Sequence, residues 1–193
     1  MPDKPLKRTE LFIKARALDA LLALSGGRPP YDLRPLRVGP ADKLLFVRLH
    51  RIGDSLVTTP LLKAVKDQTG AQVHVLADRR NHFVFRTLPF VDAVHLYRGG
   101  LRGMAAVRRL CRRGGYTAII DTHDQVSATV SFMVALSGIP ARLGLSRDND
   151  RLFTHVVPRL DPATTHVMDR IMRLAELLSI APRAGHVNVH YPL

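Results

Sequence analysis

Lys43-Leu44-Leu45-Phe46-Val47-Arg48-Leu49-His50-Arg51-Ile52-Gly53-Asp54-Ser55-Leu56-Val57-Thr58-Thr59-Pro60 runs from an apolar stretch through a polar turn into a helical pattern. Residues 43–49 have the length and character of a buried strand. A helix is expected over 55–68, with Pro60 tolerable only near its first turns. In an open α/β sheet the loop after such a strand lies at the carboxyl edge, where ligands bind. Gly53 permits close ligand approach or an unusual backbone angle. Asp54 and Ser55 stand at the expected helix start, where two roles compete: capping the free backbone N–H groups, or presenting a carboxylate to a ligand.

The chain on either side repeats this alternation. Strands are expected at 72–77, 93–97 and 116–121, with shorter candidates at 142–145 and 153–157. Between them fall helices at 81–86, 104–113 and 125–136, and a closing helix at 165–178. Strands separated by helices of this length imply α/β architecture, a Rossmann-like, doubly wound parallel sheet. Upstream, Leu11, Phe12, Ala15, Leu18 and Leu22 recur at helical spacing within 6–25, giving an N-terminal amphipathic helix. Gly26-Gly27 stops it and a Pro-containing linker follows. Three segments result: helix and linker at 1–41, the α/β domain at 42–180, and a tail at 181–193 that reads as a linker.

With 193 residues and 46% hydrophobic content the chain has enough apolar material for one such domain. Its 29 Lys and Arg outnumber 16 Asp and Glu, a net charge of +13 that implies an anionic partner. Arg102, Arg108, Arg109, Arg112 and Arg113 concentrate that charge on one expected helix and just before it, as a solvated face or as a phosphate-binding patch. Sequence-specific nucleic-acid binding is disfavoured, because 6% aromatic content without tryptophan gives little to stack bases on, and no zinc-finger spacing or helix-turn-helix signature occurs. A single cysteine, Cys111, excludes an internal disulfide and a cysteine-rich zinc site and is expected to be packed. His74 and His95 are expected to be packed or half-exposed in their strands. Residues 1–10 lack the apolar core of a secretory signal, and no stretch approaches the roughly 20 apolar residues of a membrane span. A cytoplasmic location is expected.

Five motifs, in order, resemble the lipopolysaccharide heptosyltransferase family (glycosyltransferase family 9). They are Val47-Arg48-Leu49-His50-Arg51-Ile52-Gly53-Asp54 with Thr58-Thr59-Pro60; Leu88-Pro89-Phe90-Val91-Asp92; Ile120-Asp121-Thr122-His123; Ser137-Gly138-Ile139-Pro140-Ala141-Arg142-Leu143-Gly144; and the segment from His166, which looks like the family's His-x-x-x-Arg. His50 departs from the family's usual Asp, and His123-Asp124 from a common Gly-containing turn.

The resemblance implies one half of a GT-B architecture, the acceptor-side domain of an inverting transferase. The donor, typically ADP-heptose, would be bound by a second domain that this sequence does not supply, so the chain is expected to be inactive alone or to work with a donor-domain chain in trans. Asp54 matches the family's catalytic base. Arg48, Arg51, Gly53, Ser55, Thr58, His123 and Arg102 make up the expected acceptor-binding set. No metal or other cofactor is implied, and no His-Glu-x-x-His or Asp-x-Asp pattern occurs. The expected partner is an anionic glycolipid acceptor, with peripheral contact at the inner face of the cytoplasmic membrane. A non-catalytic module for acidic glycolipid or another polyanion is the alternative.

Overall fold

The computed structural model describes residues 34–181, with Arg16, Asp19, Ala23, Asp32 and Val189. Most of the expected N-terminal helix and of the tail lies outside the described residues, although Arg16, Asp19 and Ala23 are helical.

Six strands form one parallel sheet: β1 (Lys43–Val47), β2 (Gln72–Asp78), β3 (Ala93–Tyr97), β4 (Ala118–Asp121), β5 (Ala141–Leu145) and β6 (His155–Val157), ordered β3-β2-β1-β4-β5-β6. The Rossmann-like doubly wound sheet read from the sequence is therefore present. Alternation along β1 divides the core between two faces. Leu44 and Phe46 join Leu61, Leu62 and Val65 of α2 (Thr59–Thr69), Phe85 of α3 (His82–Arg86), and Ile171 of α6 (Val167–Met172). Leu45 and Val47 join Val107 and Cys111 of α4 (Gly100–Arg113), and Val130, Met133 and Val134 of α5 (Ala128–Leu136). The register leaves no choice, since a one-residue slip would exchange the two faces.

Several expected elements shift. The helix read over 55–68 is two helices, α1 (Ile52–Leu56) and α2. Pro60 lacks the N–H that would bond the Leu56 carbonyl; the Thr59 hydroxyl donates to that carbonyl instead (2.8 Å), and the Thr58 hydroxyl donates to the Asp54 carbonyl (2.8 Å). Helix α4 begins four residues before the expected 104, because Gly99 and Gly100 both hold positive φ and turn the chain directly into it. The helix expected at 125–136 starts later, at Ala128, where the Ser127 side chain caps it. The closing helix tightens into a 3₁₀ turn at Arg173–Leu178.

The end of the expected linker is docked. Leu36 and Val38 pack on the first core face, and Leu36 N–H donates to the Leu177 carbonyl (2.8 Å). Gly144 allows the tightest approach in the sheet, since a Cβ there would lie 2.7–2.9 Å from the Phe153 ring. Cys111 is buried as expected, and burial pushes its thiol up to about 11.

Candidate active site

Strand β1 continues towards β2 on one side, while the β3–α4–β4 connection crosses to the other. The crevice between the carboxyl ends of β1 and β4 is thus the sheet's topological switch point. A cavity of about 360 Å³ opens there, lined among others by Arg48, His50, Arg51, Asp54, His123, Asp124 and Arg170.

Arg48, the residue after β1, lies inside the protein, with its side chain 2% exposed. Its Nη1 donates to the Thr122 carbonyl (2.6 Å), and its Nη2 meets Asp54 Oδ2 at 2.9 Å. Burial lowers the pKa of this guanidinium, an effect opposed by Asp54, Asp121 and Asp124. Asp54 occupies the first turn of α1, and no side-chain cap bond is made at that helix's start. The capping role is therefore not taken; the carboxylate answers Arg48 and remains 38% exposed to the cavity.

A strained turn makes this pairing possible. His50 (φ 61°) and Arg51 (φ 47°) both lie where side chains are rarely tolerated, and Arg51 leads into α1 with ψ 106°. Gly53, read as permitting either an unusual backbone angle or close ligand approach, sits in α1 without a positive φ and with open space where a Cβ would point. The surroundings hold the strain. Asn81 Nδ2 donates to the carbonyls of Arg48 (3.0 Å) and His50 (3.3 Å) and to Ser55 Oγ (2.7 Å), while Asn81 Oδ1 accepts from Asp78 N–H (2.9 Å). Asp78 in turn holds His50 through its N–H (3.2 Å) and Nδ1 (2.7 Å).

The β4 side is equally determined. Asp121 is buried between His123 Nδ1 (2.7 Å) and Arg147 Nη2 (2.7 Å). Burial alone would raise its pKa; Arg147 and His123 outweigh it and hold the carboxyl well below the usual range. An ionised Asp121 only accepts, so His123 Nδ1 carries a hydrogen, and the ring's Nε2 lies against the Leu49 backbone, 3.1 Å from its N–H and 3.2 Å from its carbonyl. That contact ties the ends of β1 and β4 together. Asp124 accepts paired bonds from Arg159 (2.9 and 2.8 Å) and from Arg170 (2.8 and 2.8 Å). Burial would raise Asp124 too, yet the bonds from Arg170 and Arg159 keep it well below a normal carboxylate.

Of the residues singled out from the sequence, Arg48, Arg51, Asp54 and His123 converge on the cavity. Ser55 and Thr58 lie beneath it, fully buried, with hydroxyls committed to the Arg51 and Asp54 carbonyls. Arg102 stands apart, exposed on α4. Sequence reasoning missed Asn81, Asp78, Arg147 and Arg159. Asp78-x-x-Asn81 was findable, being the polar turn after β2 at the same sheet edge. Arg147 and Arg159 gave no local signal. Among the described residues no group of three or more His, Cys, Asp or Glu side chains is placed to hold a metal ion, and no helix there is long and apolar enough to cross a membrane.

The same arrangement of strands and helices occurs in solved transferases. A glycosyltransferase family 9 protein from Veillonella parvula DSM 2008 superposes with a TM-score of 0.64 at 19% identity, over 76% of this chain and 43% of that one. The fold is that of the family 9 heptosyltransferases. E. coli heptosyltransferase WaaC, solved with ADP, gives a TM-score of 0.61 at 16% identity, over 76% and 51% of the two chains. E. coli ADP-heptose lps heptosyltransferase II gives 0.55 at 21% identity, over 69% and 40%. The chain thus spans about half the length of the heptosyltransferases it matches. No protein-family model matches the sequence, and no curated protein does.

Proposed function

We propose that this chain is the acceptor-side half of an inverting glycosyltransferase that moves a heptose or related sugar from a nucleotide-sugar to an anionic glycolipid of the lipopolysaccharide-core type. One observation carries the reading. A carboxylate, Asp54, is fixed at the switch point by a buried arginine and open on its other side to a cavity. The superposition on WaaC, solved with ADP and with ADP-2-deoxy-2-fluoro heptose, supports the donor class.

In this reading Asp54 takes the proton from an acceptor hydroxyl as that oxygen attacks the anomeric carbon of the donor sugar, with nucleoside diphosphate leaving from the opposite face. Arg48 holds Asp54 Oδ2, so the free oxygen points one way. Arg51 has no carboxylate partner among the described residues. It is free for an acceptor phosphate or acidic sugar, which a planar guanidinium grips in paired fashion. Asp121 and Asp124 are already neutralised by their own arginines and leave the cavity's charge to Arg51. The donor is held by a second domain, in the same polypeptide or in trans, and the reaction takes place where the acceptor meets the cytoplasmic face of the membrane.

The test is sugar transfer from ADP-heptose to a phosphorylated core acceptor, with the donor-binding half of a heptosyltransferase supplied. Asp54→Asn should lower the rate by about 10²–10⁴, the usual contribution of a positioned general base, while acceptor binding measured by calorimetry stays within about threefold. Transfer at the wild-type rate by Asp54→Asn would remove Asp54 from catalysis. Acceptor binding without transfer by the wild-type protein would favour the non-catalytic module.

A further inference from the structure

Helix α4 carries a second cationic surface that the site does not use. It begins beyond the carboxyl end of β3 and ends before β4, so it runs from the edge bearing the cavity to the opposite edge of the sheet. Gly103, Val107 and Cys111 face the core. At 100° per residue the opposite stripe holds Arg108, Arg109, Arg112 and Arg113, all exposed. The helix contains no acidic residue, and among the described residues no carboxylate pairs with any of these four. A structural helix face normally mixes signs along its length; this one does not.

The face is also apolar in a specific place. Leu101 is 90% exposed at the start of the stripe. A groove of about 720 Å³ between α4 and α5 is bordered by Leu101, Met104, Ala105 and Leu136 together with the arginines. Helix α5 contributes no charged residue of either sign. Guanidinium groups alongside exposed aliphatic side chains, on a helix lying flat across a sheet, match a surface of phosphate headgroups above acyl chains. No aromatic side chain lines the groove to stack a base.

We propose that α4 is a membrane-docking face, in which Arg108, Arg109, Arg112 and Arg113 engage the headgroups of an anionic bilayer and Leu101 enters its boundary. This deepens the reading of a lipid-borne acceptor and rests on it for biological purpose, but vesicle binding tests it without any donor or transfer. With α4 flat on the bilayer, the first turn and the cavity share one edge of the sheet, so the acceptor is met where it leaves the lipid surface.

The experiment is co-sedimentation of the full chain with vesicles of phosphatidylcholine, with or without about 30% phosphatidylglycerol, near physiological ionic strength. The wild-type protein should bind the anionic vesicles only, and binding should fall steeply as salt rises. Each arginine near such a surface is worth about fivefold, so Arg108→Gln with Arg112→Gln should weaken partitioning about 25-fold, and adding Leu101→Gln should weaken it further. All three side chains are exposed, so thermal melts of the variants should match wild type. Unchanged binding by the double variant, or equal binding of wild type to neutral vesicles, overturns the proposal. Tighter binding per phosphate to duplex DNA, with the same dependence on Arg108 and Arg112, assigns the face to nucleic acid and overturns it as well. Absence of sugar transfer bears on Asp54 alone.

Discussion

Asp121→Asn isolates the buried charge network beneath the cavity. The side chains of Asp121 and Arg147 are 1% and 4% exposed, so neither charge has water to fall back on. Asparagine keeps the shape and can still accept from His123 Nδ1–H, but its amide nitrogen cannot accept from Arg147 Nη2. Removing one partner of a buried pair costs about 3–5 kcal/mol because the other charge is left uncompensated. Arg147 retains bonds from Nη1 to the His123 (2.8 Å) and Gln125 (3.0 Å) carbonyls and from Nε to the Leu145 carbonyl (3.2 Å), which places the cost near the lower end, about 3 kcal/mol. For a chain of this size that is a fall in Tm of about 6–12 °C, measurable by circular dichroism and by urea unfolding. A cycle with Arg147→Gln should show a coupling of about 1–3 kcal/mol. The pH dependence has a fixed sign. The folded-state pKa of Asp121 is depressed, so its stabilisation is complete above the unfolded carboxyl value of about 4 and is lost as pH falls below it. The variant should therefore lose stability less steeply than wild type on acidification. A loss under about 1 kcal/mol at pH 7, or parallel acid profiles, would show that Arg147 finds adequate compensation elsewhere and would refute this account.

Asn81→Ala leaves the Asp78 N–H, the Arg48 and His50 carbonyls and Ser55 Oγ short of a partner; at about 1 kcal/mol or more each for the buried groups, urea unfolding should record a loss of about 2–4 kcal/mol. Arg51→Gly removes the steric cost of φ 47°, about 1–2 kcal/mol, against an entropic penalty of about 0.5–1 kcal/mol. The variant should be stabilised by about 0.5–1 kcal/mol while losing acceptor affinity, and a drop in both would break the link between strain and site. Gly144→Ala drives a methyl into the buried Phe153 ring and should cost about 1–3 kcal/mol in the same assay.

The sheet was legible because its strands are apolar runs of ordinary length bounded by turn residues, as at 43–47 and 93–97. The break at Thr58 was half legible. Pro60 announced that a helix must be young at that point, but whether the chain would restart or merely begin late depended on two threonine hydroxyls finding carbonyls. The site divides in the same way. Arg48, Arg51 and Asp54 stand close in sequence and were named together. Their fixation was not readable, since Arg48 reaches Thr122 and Leu49 reaches His123 across 74 positions. A glycine beside a turn is the usual bearer of positive φ, whereas here His50 and Arg51 bear it, with the His50 side chain paired to Asp78 and the His50 carbonyl accepting from Asn81.

Those partners explain why the strain sits where it does. An arginine at the end of a central strand has nowhere to snorkel; it must be neutralised inside the protein or be expelled. A relaxed turn after Val47 would carry the chain away from the sheet before an anion could return to meet it. Two consecutive left-handed residues reverse the chain within one turn, and α1 then delivers Asp54 to Arg48 three residues after Arg51. The same reversal exposes the carboxylate's other side at the switch point, where the sheet order opens a crevice at this edge. Counter-ion and candidate base are thus one group for a topological reason. This also accounts for the asymmetry with Asp121, enclosed by Arg147 and His123, and with Asp124, held by Arg159 and Arg170, while Asp54 answers one guanidinium and keeps an open side.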